Sequence, residues 1–338
     1  MDDRYSRQIL FDGIGEEGQR RLLAARVLIV GGGALGSAHA ESLARAGVGH
    51  LRIVDRDFVE PSNLQRQTMF TESDAEQRLP KAIAAANHLR QINSEIEIEP
   101  HILDINYSSI EQLLDRCDVV IDGTDNFATR YLINDACVKH NVTWIYGAAV
   151  GSYGVTMTIR PHQTACLRCV FEEAPAAATA PTCDTSGVIM PIISVVSAVQ
   201  VTEVVKLITG RIEDLHGSLM QFDVWRNEWR KINPGAPRAD CPTCALGKYE
   251  TLSQSADGAA VLCGRDAVQI SPSQPTRINF SSLAERLRRA GEVKFNEYLL
   301  RFKTGEFELT VFQDARSIIR GTDEIALARS LYAKYIGN

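Results

Sequence analysis

An α/β fold, doubly wound around a mostly parallel sheet, is predicted for the larger part of this 338-residue chain, with a structural zinc site and a small C-terminal α+β module. Three observations predict it. Arg26-Val-Leu-Ile-Val30 carries a continuous apolar run, as in a strand buried on both faces, and glycines 31, 32, 33 and 36 follow at once. Strand-length and helix-length segments then alternate as far as Tyr146. Beyond them stand two short cysteine pairs, Cys166-Leu-Arg-Cys169 and Cys241-Pro-Thr-Cys244.

The elements follow in order. Residues 34–46 read as a helix stopped by Gly47, and 51–54 as a strand closing on Asp55. Residues 81–92 are helical, with Pro80 just ahead, where a missing N–H costs least. Strands are expected at 96–102, 118–121 and 142–146, with a helix over 127–140. After Gly147 the pattern changes. A longer strand at 153–160 leads into the first cysteine pair. The stretch 172–185, rich in Ala, Pro and Thr, has no periodicity and is expected to be a mobile loop. An apolar helix over 189–209 ends at Gly210, and a hairpin of 219–223 with 228–232 delivers the second pair.

The polar stretch 249–258 reads as a linker. It divides residues 1–248 from a module over 259–338. In that module strands are expected at 259–263 and 267–270, a helix at 280–290, a meander of 296–302, 307–313 and 315–319, and a closing helix at 324–335. There is no internal repeat.

A hydrophobic content of 45% with 23% charged residues places the chain among ordinary soluble globular proteins. The net charge of −6, without a long basic run, argues against nucleic-acid binding. Met1-Asp2-Asp3-Arg4-Tyr5 is charged and does not read as a signal peptide. No apolar run approaches a membrane span; the longest, 188–201, is interrupted by Ser194, Ser197 and Gln200. A cytoplasmic protein with reduced thiols is expected. Disulfides and redox motifs are therefore the weaker readings of the cysteine pairs. Cys166, Cys169, Cys241 and Cys244 suit tetrahedral Zn²⁺ with no open position, a structural clip.

Gly31-Gly-Gly33-Ala-Leu-Gly36 contains G-x-G-x-x-G between a strand and a helix. Backbone N–H groups there can approach phosphates. Asp55 ends the next strand nineteen positions after Gly36, which fits a ribose hydroxyl contact. So far NAD fits as well as ATP, and a purely structural turn is the plainer alternative. The following segments favour ATP. Asp55-Arg-Asp57, Ser62-Asn-Leu-Gln-Arg66-Gln67 and Pro80-Lys81 supply cations, and nucleotidyl transfer needs them at the α-phosphate and the departing pyrophosphate. The alternative is that Arg66 and Lys81 are solvated surface charges. Asp122-Gly-Thr-Asp125-Asn126 ends a buried strand, where open α/β sheets hold ligands. Asp125 is a hard oxygen ligand suited to Mg²⁺, and Asp122 could instead orient or cap.

Taken in order, Arg7-Gln8-Ile9, GGGALG, Asp55, SNLQRQ, PK, GTDN and the two cysteine pairs resemble the ThiF/MoeB family of the ubiquitin-activating superfamily, over roughly residues 4–247. These are Rossmann-like adenylyltransferases of ubiquitin-like sulfur carriers in thiamine and molybdopterin biosynthesis. The resemblance implies that the carrier's C-terminal Gly-Gly carboxylate attacks the α-phosphate of ATP and pyrophosphate leaves. It further implies that Gly33, Ala34, Asp55, Asp57, Asn63, Arg66, Lys81, Asp125 and Asn126 contact ATP or its Mg²⁺. Arg7 would be a phosphate-binding arginine, supplied from the neighbouring subunit in homodimeric members. Ala34 stands where many relatives have glycine, with little effect expected unless the backbone there needs positive φ. A homodimer is implied, as is a sulfurtransferase or cysteine desulfurase partner.

Family members carry a cysteine at the place of Cys183, and in several it forms a thioester or acyl disulfide with the activated carrier. An incidental cysteine is the alternative. Cys117, Cys137 and Cys263 are expected to be buried core thiols. The module over 259–338 does not fit the basic family layout and shows no rhodanese active-site loop. The competing classes are an NAD(P)-dependent oxidoreductase, a superfamily member activating a tRNA base or peptide carboxylate, and a non-catalytic carrier-binding scaffold.

Overall fold

β1, Arg26–Val30, lies in the interior of an eight-stranded sheet. The remaining strands are β2 (His50–Asp55), β3 (Glu97–Ile102), β4 (Val119–Asp122), β5 (Thr143–Val150), β6 (Tyr153–Ile159), β7 (Leu219–Asp223) and β8 (Glu228–Ile232). The order is β3-β2-β1-β4-β5-β6-β7-β8. Strands β3 to β5 run parallel, and β5 to β8 form an antiparallel meander. The computed structural model describes residues 3–173, 186–253, 259–262, 266–272 and 277–337. The chain divides into two compact units, Met1–Gln254 and Ser255–Asn338.

Successive side chains of β1 enter opposite layers, as strand geometry requires. Val27 and Ile29 pack with Leu22, Leu43, Leu89 and Val204, which come from the helices Gly15–Ala24, Ala34–Ala46, Lys81–Ile92 and Met190–Thr209. Leu28 and Val30 pack on the other face with Leu113, Ile133, Cys137 and Leu167, from the helices Ile110–Leu113, Phe127–Lys139 and Leu167–Val170. Both faces are covered, which is why β1 is apolar without alternation. The helices Ser6–Ile9 and Gly15–Ala24 precede β1 and are not announced by the strand–helix alternation.

Two expectations need correction. Met190–Thr209 is a continuous 20-residue helix, long and apolar enough by length and composition to cross a membrane. Its serines do not break it, because an isolated hydroxyl barely lowers the hydropathy of so apolar a helix. One face of it packs into this unit: buried Gln200 donates to Asp122 O and Ile145 O, and buried Glu203 accepts from Thr158 Oγ1. Cys117 is only half-buried, its Sγ bonded to Val119 O, whereas Cys137 is fully buried. Cys263 lies outside the described residues.

The second unit is an antiparallel sheet of β9 (Ala259–Leu262), β10 (Ala267–Ile270), β11 (Glu292–Phe295), β12 (Leu299–Thr304), β13 (Phe307–Phe312) and β14 (Ser317–Arg320), in the order β11-β12-β13-β14-β10-β9. β11 lies in a stretch the sequence does not mark as a strand; its burial pattern is mostly exposed. The helices Phe280–Leu287 and Ile325–Tyr335 cover one face through Leu283, Leu287, Ala328 and Leu331.

Candidate functional site

The strand order reverses between β1 and β4, and the loops after these two strands meet there. Gly31 has φ +89°, a conformation side chains avoid, and a Cβ on it would stand 2.7 Å from Gly123 O. A Cβ on Gly36 would collide with Gly31 O, so the following helix packs tightly under the loop. Gly33 precedes that helix, and Ala34 opens it with no positive φ, so alanine is tolerated.

Asp55, at the end of β2, accepts from Gly32 N at 2.7 Å and from Asp57 N at 2.6 Å. Burial pushes this carboxyl up, and Lys81 opposes the shift. Lys81 opens its helix beside Asp57: its N–H donates to Asp57 O at 2.9 Å and its buried Nζ lies 3.6 Å from Asp57 Oδ2. Asn63 is buried and its Oδ1 accepts from Glu60 N, forming the turn that carries Arg66. Arg66 Nη1 donates to Ser62 O at 2.9 Å.

On the other side of the switch point, Asp122 is fully buried and Asp125 is exposed. Asp122 accepts from Arg130 Nε (3.1 Å), Thr124 N (2.8 Å) and Thr124 Oγ1 (2.7 Å). It braces the loop from within, the orienting role, while Asp125 is presented outward. Asn126 caps the Phe127–Lys139 helix by accepting from Thr129 N at 2.9 Å. Gly33, Ala34, Asp55, Asp57, Lys81, Asp125 and Asn126 thus stand on the loops or helix starts that follow β1, β2 and β4.

The four cysteines predicted as metal ligands come together, their Sγ atoms all within 4.8 Å of one another. Cys166 and Cys241 are 3.6 Å apart, Cys169 and Cys244 3.4 Å, and Cys166 and Cys169 3.8 Å. Four sulfurs at about 2.3 Å from a tetrahedral zinc would be about 3.8 Å apart, so the set fits that ion. Arg238 N donates to Cys169 Sγ at 3.4 Å. Burial, with Cys169 and Cys241 alongside, pushes the Cys166 thiol up to about 12. A bound cation reverses that preference and lets the sulfurs be thiolates together.

The ThiF family profile matches residues 5–243. The chain belongs to the ThiF family. Over 340 aligned residues, all of both chains, it is 44% identical to the sulfur carrier protein ThiS adenylyltransferase of Bacillus subtilis (strain 168). It is 39% identical to the SAMP-activating enzyme E1 of Haloferax volcanii, covering 74% of this chain and 91% of that one. It is 40% identical to the adenylyltransferase and sulfurtransferase MOCS3 of Culex quinquefasciatus, covering 72% of this chain and 55% of that one. The fold is shared with crystalline E. coli MccB in complex with AMPCPP and MccA, at a TM-score of 0.64 and 24% identity over 72% of this chain and 74% of that one. The chain is an ATP-using adenylyltransferase of the ThiF/MoeB type.

Arg7 is not brought to the glycine loop. It is exposed on the Ser6–Ile9 helix, whose Gln8 donates to Ala46 O. Ala46 ends the helix that starts at the glycine loop, about 18 Å away along its axis. Cys183 lies outside the described residues, as does most of the stretch 172–185. Two residues quoted within sequence motifs were given no role of their own there. Gln67 is buried beside Gly33, and its Oε1 has no partner among the described residues. Arg56 Nη1 donates to Asp104 Oδ1 at 3.1 Å; burial works against its charge, but Asp104, Asp57 and Asp125 outweigh it and hold the guanidinium above its ordinary range. Only their positions inside SNLQRQ and Asp55-Arg-Asp57 could have pointed to them.

Proposed function

We propose that this chain adenylates the C-terminal Gly-Gly carboxylate of a ubiquitin-like sulfur carrier, in the branch of sulfur transfer that serves thiamine biosynthesis. The observation that carries the reading is the meeting of the glycine loop, Asp55, Lys81 and the Asp122–Asn126 loop at one switch point. The thiamine branch is favoured over the molybdopterin branch by the full-length likeness to the Bacillus ThiS adenylyltransferase, since the MOCS3 likeness spans only 72% of this chain.

In this reading, N–H groups of the glycine loop and the helix start at Ala34 receive the phosphates. Asp55 holds the ribose with the lone pairs its two backbone bonds leave free. A carboxylate oxygen of the carrier attacks the α-phosphorus, the bond from that phosphorus to the bridging oxygen breaks, and pyrophosphate departs. Lys81 and Arg66 neutralise charge that grows on the phosphates in the transition state. Asp125 and its loop would hold Mg²⁺, which supplies Lewis-acid charge neutralisation when bound. Arg7 is supplied in this reading by a second copy of the chain, in a homodimer; its place far from its own glycine loop supports that. The four cysteines hold structural Zn²⁺.

ATP–pyrophosphate exchange tests the reading. Exchange should require a carrier ending in Gly-Gly and vanish with a carrier lacking the last glycine. Carrier-independent exchange, or exchange driven by an amino acid or free peptide, would overturn it.

A further inference from the structure

One face of the Phe127–Lys139 helix is bonded to both cysteine turns. Tyr131 Oη donates to Phe171 O at 2.8 Å, Asn134 Oδ1 accepts from Leu167 N at 2.9 Å, and Asp135 Oδ1 accepts from Thr243 Oγ1 at 2.8 Å. Positions 134 and 135 each lie about one helical turn beyond 131 and so flank it on one side of the helix. Leu167 lies inside the first cysteine pair and Thr243 inside the second. Asp135 Oδ2 also accepts from Thr251 N at 3.1 Å and Thr251 Oγ1 at 2.8 Å, just beyond the second pair. Asn134 and Asp135 are both fully buried.

A buried carboxylate is costly unless its lone pairs are engaged. Among the described residues, the hydrogen-bond partners of Asp135 all come from the second cysteine turn and the short helix Glu250–Ser253 that follows it. Adjacent residues of one rigid helix therefore grip two turns that are 75 residues apart in sequence. Residues that orient metal ligands commonly act in this way, through hydrogen bonds to the ligand-bearing backbone and its neighbours.

We propose that Asn134 and Asp135 are the positioning residues of the metal clip. They hold the two cysteine turns at coordination spacing, so that the four sulfurs are gathered before the metal arrives and are kept from drifting apart once it is bound. The inference rests on the reading of the clip as a zinc site and goes beyond it by assigning what sets its geometry.

The test uses the full chain as wild type, Thr243→Val, Thr243→Ser and Asp135→Asn, each purified with its metal. Zinc content is measured first, then the rate of zinc transfer to a chromophoric chelator. Thr243→Val keeps the volume and removes the hydroxyl, and Asp135→Asn sets an amide against donors that need an acceptor. Both should release zinc faster by about 10- to 100-fold. Thr243→Ser restores the hydroxyl and should release zinc at the wild-type rate, which a general loosening of the fold would not allow. Wild-type release rates in both Thr243→Val and Asp135→Asn, or equal acceleration in Thr243→Ser and Thr243→Val, would overturn the inference and leave the zinc site standing. A wild-type protein without zinc would overturn the metal reading itself.

Discussion

Asp122 and Arg130 form an ion pair sealed beneath the loop that carries Asp125: Arg130 Nε lies 3.1 Å from Asp122 Oδ2, and both side chains are buried. The guanidinium also donates through Nη2 to Thr124 O and Gly147 O, and lies over the rings of Phe127 and Tyr146. One cation thus joins the end of β4, the start of its helix and the middle of β5. Burial pushes the Asp122 carboxyl above its ordinary range, although Arg130 and the bonds from Thr124 and Gly147 oppose the shift.

Arg130→Met should strand the Asp122 charge and cost about 3–5 kcal/mol of stability. The double variant Asp122→Asn/Arg130→Met should cost less than Arg130→Met alone, because no uncompensated charge remains. Urea unfolding of wild type, Asp122→Asn, Arg130→Met and the double variant gives the comparison. A double variant as unstable as the sum of the single ones would mean that the pair has no coupling of its own.

Asp125→Ala should leave the unfolding midpoint unchanged, since the side chain is exposed and, among the described residues, accepts one 3.4 Å contact from Asn126. Pyrophosphate exchange should fall on the order of 10³-fold or more, the loss of a metal-holding carboxylate in the transition state. Near wild-type exchange removes Asp125 from the mechanism.

Cys183→Ala separates activation from covalent transfer. Adenylation needs nucleotide, metal and cations, so exchange should persist. Thioester formation needs a thiolate to displace AMP from the carrier adenylate, so any thiol-labile carrier–enzyme adduct should vanish from the mass spectrum. A variant that loses exchange as well would contradict this division of labour.

His39 makes stability depend on pH. It is fully buried, its Nε2 is 2.9 Å from Gln200 Oε1, and burial lowers its pKa from 6.5 to about 3. Gln200 donates its own N–H groups to Asp122 O and Ile145 O, which leaves Oε1 as the acceptor and assigns the imidazole proton to Nε2. Below pH 6.5 the unfolded chain takes up a proton that the folded one refuses. The contribution is therefore complete above pH 6.5 and is lost progressively as pH falls toward 3. At pH 5 the loss is about 2 kcal/mol. Urea midpoints at pH 7.5 and 5 should differ by less in His39→Gln than in wild type; equal differences would remove His39 as the source.

Some features of this protein are determined by sequence alone because they are local. β1, the glycine turn and the Ala34–Ala46 helix are contiguous, and their chemistry is written in adjacent residues. Asp55 ends the next strand at a spacing set by the length of one helix and its return. The cysteine pairs are legible because two residues between cysteines suffice to place both sulfurs on one turn. The antiparallel half of the sheet was also legible as a hairpin, but not its place beside β5. Tertiary structure alone decided the rest. It put Asp122 against Arg130, and His39 against Gln200 across 161 residues of chain. It set Arg7 at the far end of the helix whose start forms the glycine loop, and brought Asn134 and Asp135 under both cysteine turns. The reason is physical. Local motifs obey backbone geometry over a few residues, whereas buried polar partners are chosen by the order of strands and the helix faces packed upon them, which bring distant residues together only when the sheet is assembled.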